Sequence, residues 1–274
     1  MTSLERAAPR AGWAELPAPL QFILDTLTIT EGELRKVRHD PFELLTRVIQ
    51  PILWLLIFGQ VLARARAIPT GNVPYLDFLA PGILAQSALF SAIFFGISVI
   101  WERDLGIIHS YLVAPVARAS LVTGKALAAG LRALTQAAVI YIVAALLGVD
   151  LRLDPLSILG MILVVVIGSA LFATFSLNIA CVVRTRERFM GIGQVLTMPL
   201  FFASSAVYPV SIMPDWLKAI AALNPLTYMV DALRELMVVG ATGTNQIGLD
   251  LVVMSGVLVG LLALATRLYP RLAQ

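Results

Sequence analysis

Asp231, Arg234 and Glu235 fall within one helical turn of the stretch NPLTYMVDALRE at 224–235, between two apolar runs. Asp231 and Arg234 are i,i+3 neighbours and Asp231 and Glu235 i,i+4 neighbours, so one guanidinium can offset two carboxylates on a single helix face. This is structural electrostatics, suited to a gate, and not acid–base turnover. Other reactive types are sparse. His39 and His109 lie far apart, with no Cys, Asp or His at ligand spacing, which argues against a metal site or an imidazole centre. The Gly124-Lys125 pair lacks the glycine at 119 and the Ser or Thr at 126 of a phosphate loop, since both positions are alanine. Asp77, Glu102, Glu187 and Asp250 mark the ends of apolar runs and not their middles, which disfavours proton-driven transport. Arg132 is the one charge set inside a run, and it either snorkels to the headgroups, faces a cavity, or pairs with Glu102 or Asp104. Cys181 has no disulfide partner and reads as a packing residue. Asn178, Gln86, Gln136 and Gln194 could bond between helices or contact cargo.

The elements that position these residues are written in hydropathy. The chain is 59% hydrophobic and 14% charged, against about 45–50% and about 25% in soluble domains, which indicates a polytopic membrane protein. Runs near 42–63, 77–100, 127–147, 157–183, 189–208 and 248–268 are each long enough to cross the bilayer, giving an all-α integral membrane fold with six spans. Segment 224–235 cannot be a seventh. Its three charges would cost about 8–10 kcal/mol at mid-membrane, so it returns to the surface after a helix that ends early. With Arg6, Arg10, Arg35, Lys36, Arg38, Arg103, Arg118, Lys125, Arg184, Arg186, Arg188, Arg267 and Arg271 on one side, both termini are expected in the cytosol.

Residues 1–40 form a cytosolic segment with no cleaved signal, and 41–271 the membrane domain. Within the former, Leu16, Leu20, Ile23, Leu27, Leu34 and Val37 make an apolar stripe suited to the inner headgroup layer or to packing on protein. Asp40-Pro41-Phe42-Glu43 reads as a capped helix start. Small residues recur four apart at Ala88, Ala92 and Gly96, at Ala126 and Gly130, and at Gly256 and Gly260. They suit close packing within the chain or at a dimer seam.

Residues 101–127, WERDLGIIHSYLVAPVARASLVTGKAL, combine a charged start, a short amphipathic helix with Leu105, Ile108 and Leu112 on one side, a Pro115 break and a basic re-entry. The order Glu102, Arg103, Gly106, Leu112, Ala114-Pro115, Arg118, Gly124-Lys125 resembles the coupling-helix loop of type-2 ABC exporter permeases. NPLTYMVDALR resembles the motif that precedes their last span, and AVYPVSIMPDWLKAIAALNP their extracellular re-entrant helices. The resemblance covers about residues 20–270 and is greatest to the daunorubicin-resistance branch. One departure is Ser204-Ser205-Ala206, where the family often has a glycine, which leaves the local bend open.

The resemblance implies a permease subunit in a bacterial inner membrane, without catalytic chemistry, working with a separate ABC ATPase that binds the ATP and magnesium. It also implies a second permease copy and no nucleic acid. Glu102, Arg103, Asp104, Leu105 and Gly106 would lie at the ATPase dock, and the helix at 20–39 would be the connecting helix. Pro209, Pro214, Asn224, Pro225, Tyr228, Asp231 and Arg234 would form the outer re-entrant gate. The expected cargo is an amphipathic drug or hydrophobic natural product. The rivals are a lipid-linked glycan or lipid exporter and an ion-coupled carrier.

Overall fold

A computed structural model describes residues 17–38, 48–66, 68–70, 73–114, 116–183, 185–241 and 243–273, without the side chains of 37, 38, 109, 110, 112 and 273. The expected helix start at Asp40-Pro41 and the Pro115 break lie outside these residues. The chain is helical almost throughout: α1 (Ala18–Arg38), α2 (Val48–Ala65), α3 (Tyr75–Asp104), α4 (Ile107–Val113), α5 (Arg118–Leu146), α6 (Pro155–Val182), α7 (Arg186–Phe202), α8 (Asp215–Leu223), α9 (Pro225–Met237) and α10 (Ile247–Leu268). Among the described residues the only β contact is an isolated antiparallel bridge, Leu151 to Val238.

Five helices, α2, α3, α5, α6 and α10, are long and apolar enough to cross a membrane. The expected fifth span at 189–208 is α7, shifted to 186–202 and only 17 residues long, about 25 Å. It ends early because Ser204 bends the chain. The Ser204 hydroxyl donates to Phe201 O at 2.6 Å and accepts from Ala206 N at 3.3 Å. The turn then packs on α3 at Gly82, where an added Cβ would lie 2.2 Å from Ala206 O. The glycine that permits this close bend thus sits across the contact, while a serine side chain shapes the turn itself.

Helix starts follow local chemistry. Asp154 caps α6 by accepting from Ser157 N at 2.9 Å ahead of Pro155, and Asn224 caps α9 by accepting from Leu226 N at 3.0 Å ahead of Pro225. Each such cap stabilises its helix by about 1 kcal/mol. α5 begins nine residues before the expected 127, so its first turns extend the third span rather than forming a loop.

α3 and α6 run side by side through the middle, flanked by α5 and α10, with α7 beside α3. Their contacts use small residues. A Cβ on Gly96 would strike Ser176 Oγ at 2.3 Å and the Phe189 ring at 2.4 Å, and one on Gly130 would strike Val166 O at 2.7 Å. Those two small-residue rows therefore serve packing within the chain, whereas Gly256 and Gly260 on α10 meet nothing within 4 Å. Two of the four amides bond between helices. Gln136 links α5 to Ser87 and Ser91 of α3, and Asn178 Nδ2 reaches Leu261 O of α10 at 3.1 Å.

The bundle has two chemically distinct ends. The start of α5, the C-terminal end of α3 and the 3-10 turn Tyr269–Ala273 after α10 gather with α1 at one. The start of α3, the end of α7, α9 and the start of α10 gather at the other.

Candidate functional site

At the first end, α1 docks on α5 through a polar face. Asp25, Thr26, Thr30 and Glu33 are buried, while Leu20, Ile23 and Leu27 of the apolar stripe are about half exposed. The stripe points away from the bundle, which is the orientation that a headgroup-layer helix requires. Thr30 Oγ1 donates to Gly124 O at 3.1 Å, and α1 approaches so closely there that a Cβ on Gly124 would lie 2.8 Å from Ile29.

This docking closes a buried ion network. Lys125 Nζ is 2.8 Å from Glu33 Oε1 and 2.6 Å from Glu102 Oε2, and Lys36 Nζ is 3.0 Å from Glu33 Oε1 and 2.6 Å from Glu102 Oε1. Arg132 Nη2 reaches both Glu33 Oε2 and the Glu33 carbonyl at 3.1 Å. Burial disfavours the Glu33 charge, but Lys125 and Lys36 outweigh it and hold the carboxyl down to about 2. Lys36 is likewise raised, because the hydrogen bond to Glu102 and the charges of both acids outweigh burial. Arg132 therefore pairs with Glu33, and neither Glu102 nor Asp104 is its partner.

Of the residues expected at an ATPase dock, Glu102 turns inward and is buried in the ion network. Arg103 donates to Val183 O at 3.2 Å and to the Asp104 carboxylate. Asp104 also accepts from Arg186 at 2.7 Å, and the Arg186 guanidinium stacks 3.6 Å above the Trp101 ring. α3 stops at Leu105 because Gly106 adopts φ +74°, where its N–H bonds to Arg103 O at 2.9 Å. Leu105 and Ile108 consequently belong to different helices and do not share a face. Ile108 is fully buried, whereas Leu105 is 68% exposed and Val113 86% exposed. The outward surface here is Asp104, Leu105, Gly106, Ile107 and Val113.

At the opposite end, α9 is held under the 203–206 turn. Asp231, fully buried, accepts from Ser205 Oγ at 3.1 Å, Arg234 Nη1 at 3.2 Å and Thr244 N at 3.2 Å. Arg234 Nη2 donates to Ser205 O at 2.6 Å, and its guanidinium lies 3.9 Å from the Phe78 ring centre. Burial pulls this guanidinium down to about 10, against the Asp231 charge that sustains it. Arg234 thus compensates one acid and not two, since Glu235 turns toward Gly243. Pro209 precedes the 3-10 turn Val210–Ile212, Pro214 starts α8, and Tyr228 ties α9 to α8 by donating to Ala222 O at 2.6 Å. Asn224 Nδ2 bonds Leu200 O at 2.6 Å, fixing the α8–α9 corner to the end of α7. Together Pro209, Ser205, Arg234 and Thr244 line a cavity of about 530 Å³.

A third feature lies between the ends. Phe90, Ile93, Phe94, Ile97, Met190 and Met198 line a mainly apolar pocket of about 340 Å³ between α3 and α7, with Gln50 of α2 and Gln194 and Thr197 of α7 as its polar groups. Gln194 thus faces a pocket, whereas Gln136 and Asn178 bond between helices.

The sequence reading missed Glu33, Lys36 and Lys125 as a unit. The signal was present: Lys125 stands alone in the apolar run LVTGKALAAGL, and Lys125 and Arg132 are two turns apart on one helix face. A buried cation demands an acid from another element, and the sequence does not say which.

Long apolar helices running between two charged ends, with an apolar pocket of about 340 Å³ between them, describe a multi-pass membrane protein. The chain belongs to the ABC-2 type transporter family, whose model matches residues 25–238. It is 28% identical over 255 residues to the daunorubicin resistance ABC transporter permease protein DrrB1 of Streptomyces coeruleorubidus, covering 93% of this chain and 89% of that one. It is 30% identical over 219 residues to ycf38 of Cyanophora paradoxa, a protein named as a transport permease, covering 78% and 74%. Nodulation protein J of Rhizobium leguminosarum bv. viciae is 28% identical over 196 residues, covering 71% and 74%. Membership of this family implies a membrane setting and an ABC ATPase as partner.

Proposed function

We propose that this chain is the membrane-spanning subunit of an ATP-driven exporter for an amphipathic drug or hydrophobic natural product. It would work as one of two permease copies in a bacterial plasma membrane, with the α1 end in the cytosol. The chain would hold neither ATP nor magnesium, which belong to the ATPase. Its dock is Leu105, Gly106 and the exposed face of α4, flanked by Asp104 and Arg103. Glu102 acts behind that surface by tying α3 to α1 and α5.

The observation that carries this reading is the continuity of α3. The helix runs from the exposed Leu105 turn, past the pocket at Phe90–Ile97 and through Pro81, which removes one backbone hydrogen bond, to Asp77 and Phe78 under α9. A push on the turn is therefore delivered to the pocket and to the opposite end by one rigid element. The pocket combines aromatic and Met side chains with two glutamines, which suits a molecule with a large apolar body and a few polar groups. The α8–α9 corner with Asp231 and Arg234 would cap the outer exit. The name of the Streptomyces relative supports the cargo class.

The test is reconstitution in liposomes with a partner ABC ATPase that co-purifies with the chain. Efflux of amphipathic dyes that requires ATP and is lost with a hydrolysis-dead ATPase supports the reading. Efflux abolished by an uncoupler and indifferent to the ATPase would make the protein an ion-coupled carrier. Activity confined to lipid-linked glycans or lipids would reassign the cargo.

A further inference from the structure

The charges that meet between α1, α3 and α5 do not balance. Three cations, Lys36, Lys125 and Arg132, share two acids, Glu33 and Glu102. Every carboxylate oxygen is already in use. Glu33 Oε1 accepts from Lys36 and Lys125 and its Oε2 from Arg132, while Glu102 Oε1 accepts from Lys36 and its Oε2 from Lys125. One positive charge is left over, and it falls to the half-exposed Lys36 and the partly exposed Arg132 rather than to the buried Lys125. Arg132 Nε is also buried and without a hydrogen-bond partner.

A cavity of about 160 Å³ opens beside these groups. Both carboxylates reach its wall, each already paired with two or three of the cations. Lys36 and Arg132 line it together with Ser91, Ser98, Phe94 and Phe95. The cavity thus presents a spare guanidinium edge, an ammonium and hydroxyls on one side and aromatic rings on the other. A monoanion with tetrahedral oxygens would balance the cluster, and guanidinium groups suit phosphate oxygens in particular. The apolar wall suits an ester whose carbon skeleton extends along α3.

The geometry points to a binding site here for a singly charged phosphate group, supplied by an anionic lipid headgroup or by free phosphate. Bound, it would pin α1 against α3 and α5 from the side opposite Lys125. The site is separate from the apolar pocket between α3 and α7 and does not depend on what that pocket carries.

The full-length chain in mild detergent tests this directly. Native mass spectrometry counts bound phosphatidylglycerol and, separately, phosphatidylcholine across a titration. A parallel series reads the unfolding midpoint in sodium phosphate against sodium chloride of equal ionic strength. Wild type should bind phosphatidylglycerol at least about tenfold more tightly than phosphatidylcholine, and Arg132→Gln should abolish that preference. Should Arg132→Gln fail to fold, Ser98→Phe fills the cavity from its exposed rim, touches no ion pair and should abolish it too. Stabilisation by phosphate that the variants lose, without any lipid preference, assigns the site to the free ion. Identical behaviour of wild type and Ser98→Phe in both series overturns it.

Discussion

At the α1 end, five ionised side chains from three helices interlock, whereas at the α9 end one aspartate and one arginine of the same helix turn share the burden with Ser205 and Thr244. The first arrangement ties helices to one another. The second ties the buried helix α9 to two loops, through Ser205 and Thr244. The α9 end also encloses the larger cavity, about 530 Å³ against about 160 Å³. Burying charge between helices makes a clamp, while burying it within one helix beside open space leaves room to rearrange. For a permease pushed from the α1 end, that division places rigidity at the input and compliance at the output.

The sharpest way to break this contrast is Lys125→Met. It removes the buried one of the two cations that Glu33 and Glu102 share and leaves only the half-exposed Lys36 between them, at about 3–5 kcal/mol. Folded yield by size-exclusion should collapse, and adding Glu102→Gln should recover part of it. Acid probes the same clamp without mutation. Glu33 is depressed from 4.5 to about 2, so its contribution, on the order of 3 kcal/mol, is complete above about pH 4.5 and disappears as pH falls through about 2. The hydrogen-exchange protection of α1, corrected for the intrinsic pH dependence of amide exchange, should therefore stay flat from pH 7 to about 4.5 and fall below it. Exposure of α1 already at pH 6 would mean that Glu33 is not the anion that holds it.

Arg234→Ala should cost less, about 2–3 kcal/mol, because Asp231 keeps the Ser205 hydroxyl and the Thr244 amide. Export should fall more than folded yield, and Arg234→Ala with Asp231→Ala should recover part of the loss. A collapse equal to that of Lys125→Met would erase the distinction between the ends. Gly106→Ala introduces a Cβ at φ +74° into open space, a strain of about 1–2 kcal/mol. It should leave insertion intact and lower dye efflux per ATP hydrolysed in the reconstituted complex. Unchanged coupling would remove the Leu105–Gly106 turn from the dock.

How much of this was legible beforehand divides along physical lines. Hydropathy sums over whole segments, so the five long apolar helices could be read directly, while the run at 189–208 came out as the 17-residue α7. Caps act locally, so Asn224-Pro225 and Asp154-Pro155 mark their helices in the sequence itself. Partner choice is tertiary. For Arg132 the sequence offers the headgroups, a cavity, or Glu102 and Asp104, yet the acid that takes it is Glu33, 99 residues away. Glu102 carried the signature of a surface loop and turned inward because α3 continues two residues beyond it before Gly106 can end the helix. The Ser204 bend was opaque for the same reason, since the residue that accommodates it, Gly82, is on another helix.

The division between a locked input and a compliant output is tested most directly by two spin-label distances in the complex with its ATPase, after replacement of Cys181. One pair spans the clamp, at Thr28 of α1 and Arg118 of α5. The other spans the opposite end, at the exposed Leu223 of α8 and Leu153 before α6. On trapping with ATP and vanadate, the first distance distribution should stay unchanged while the second shifts. A shift between Thr28 and Arg118, with Leu223 and Leu153 fixed, would contradict it.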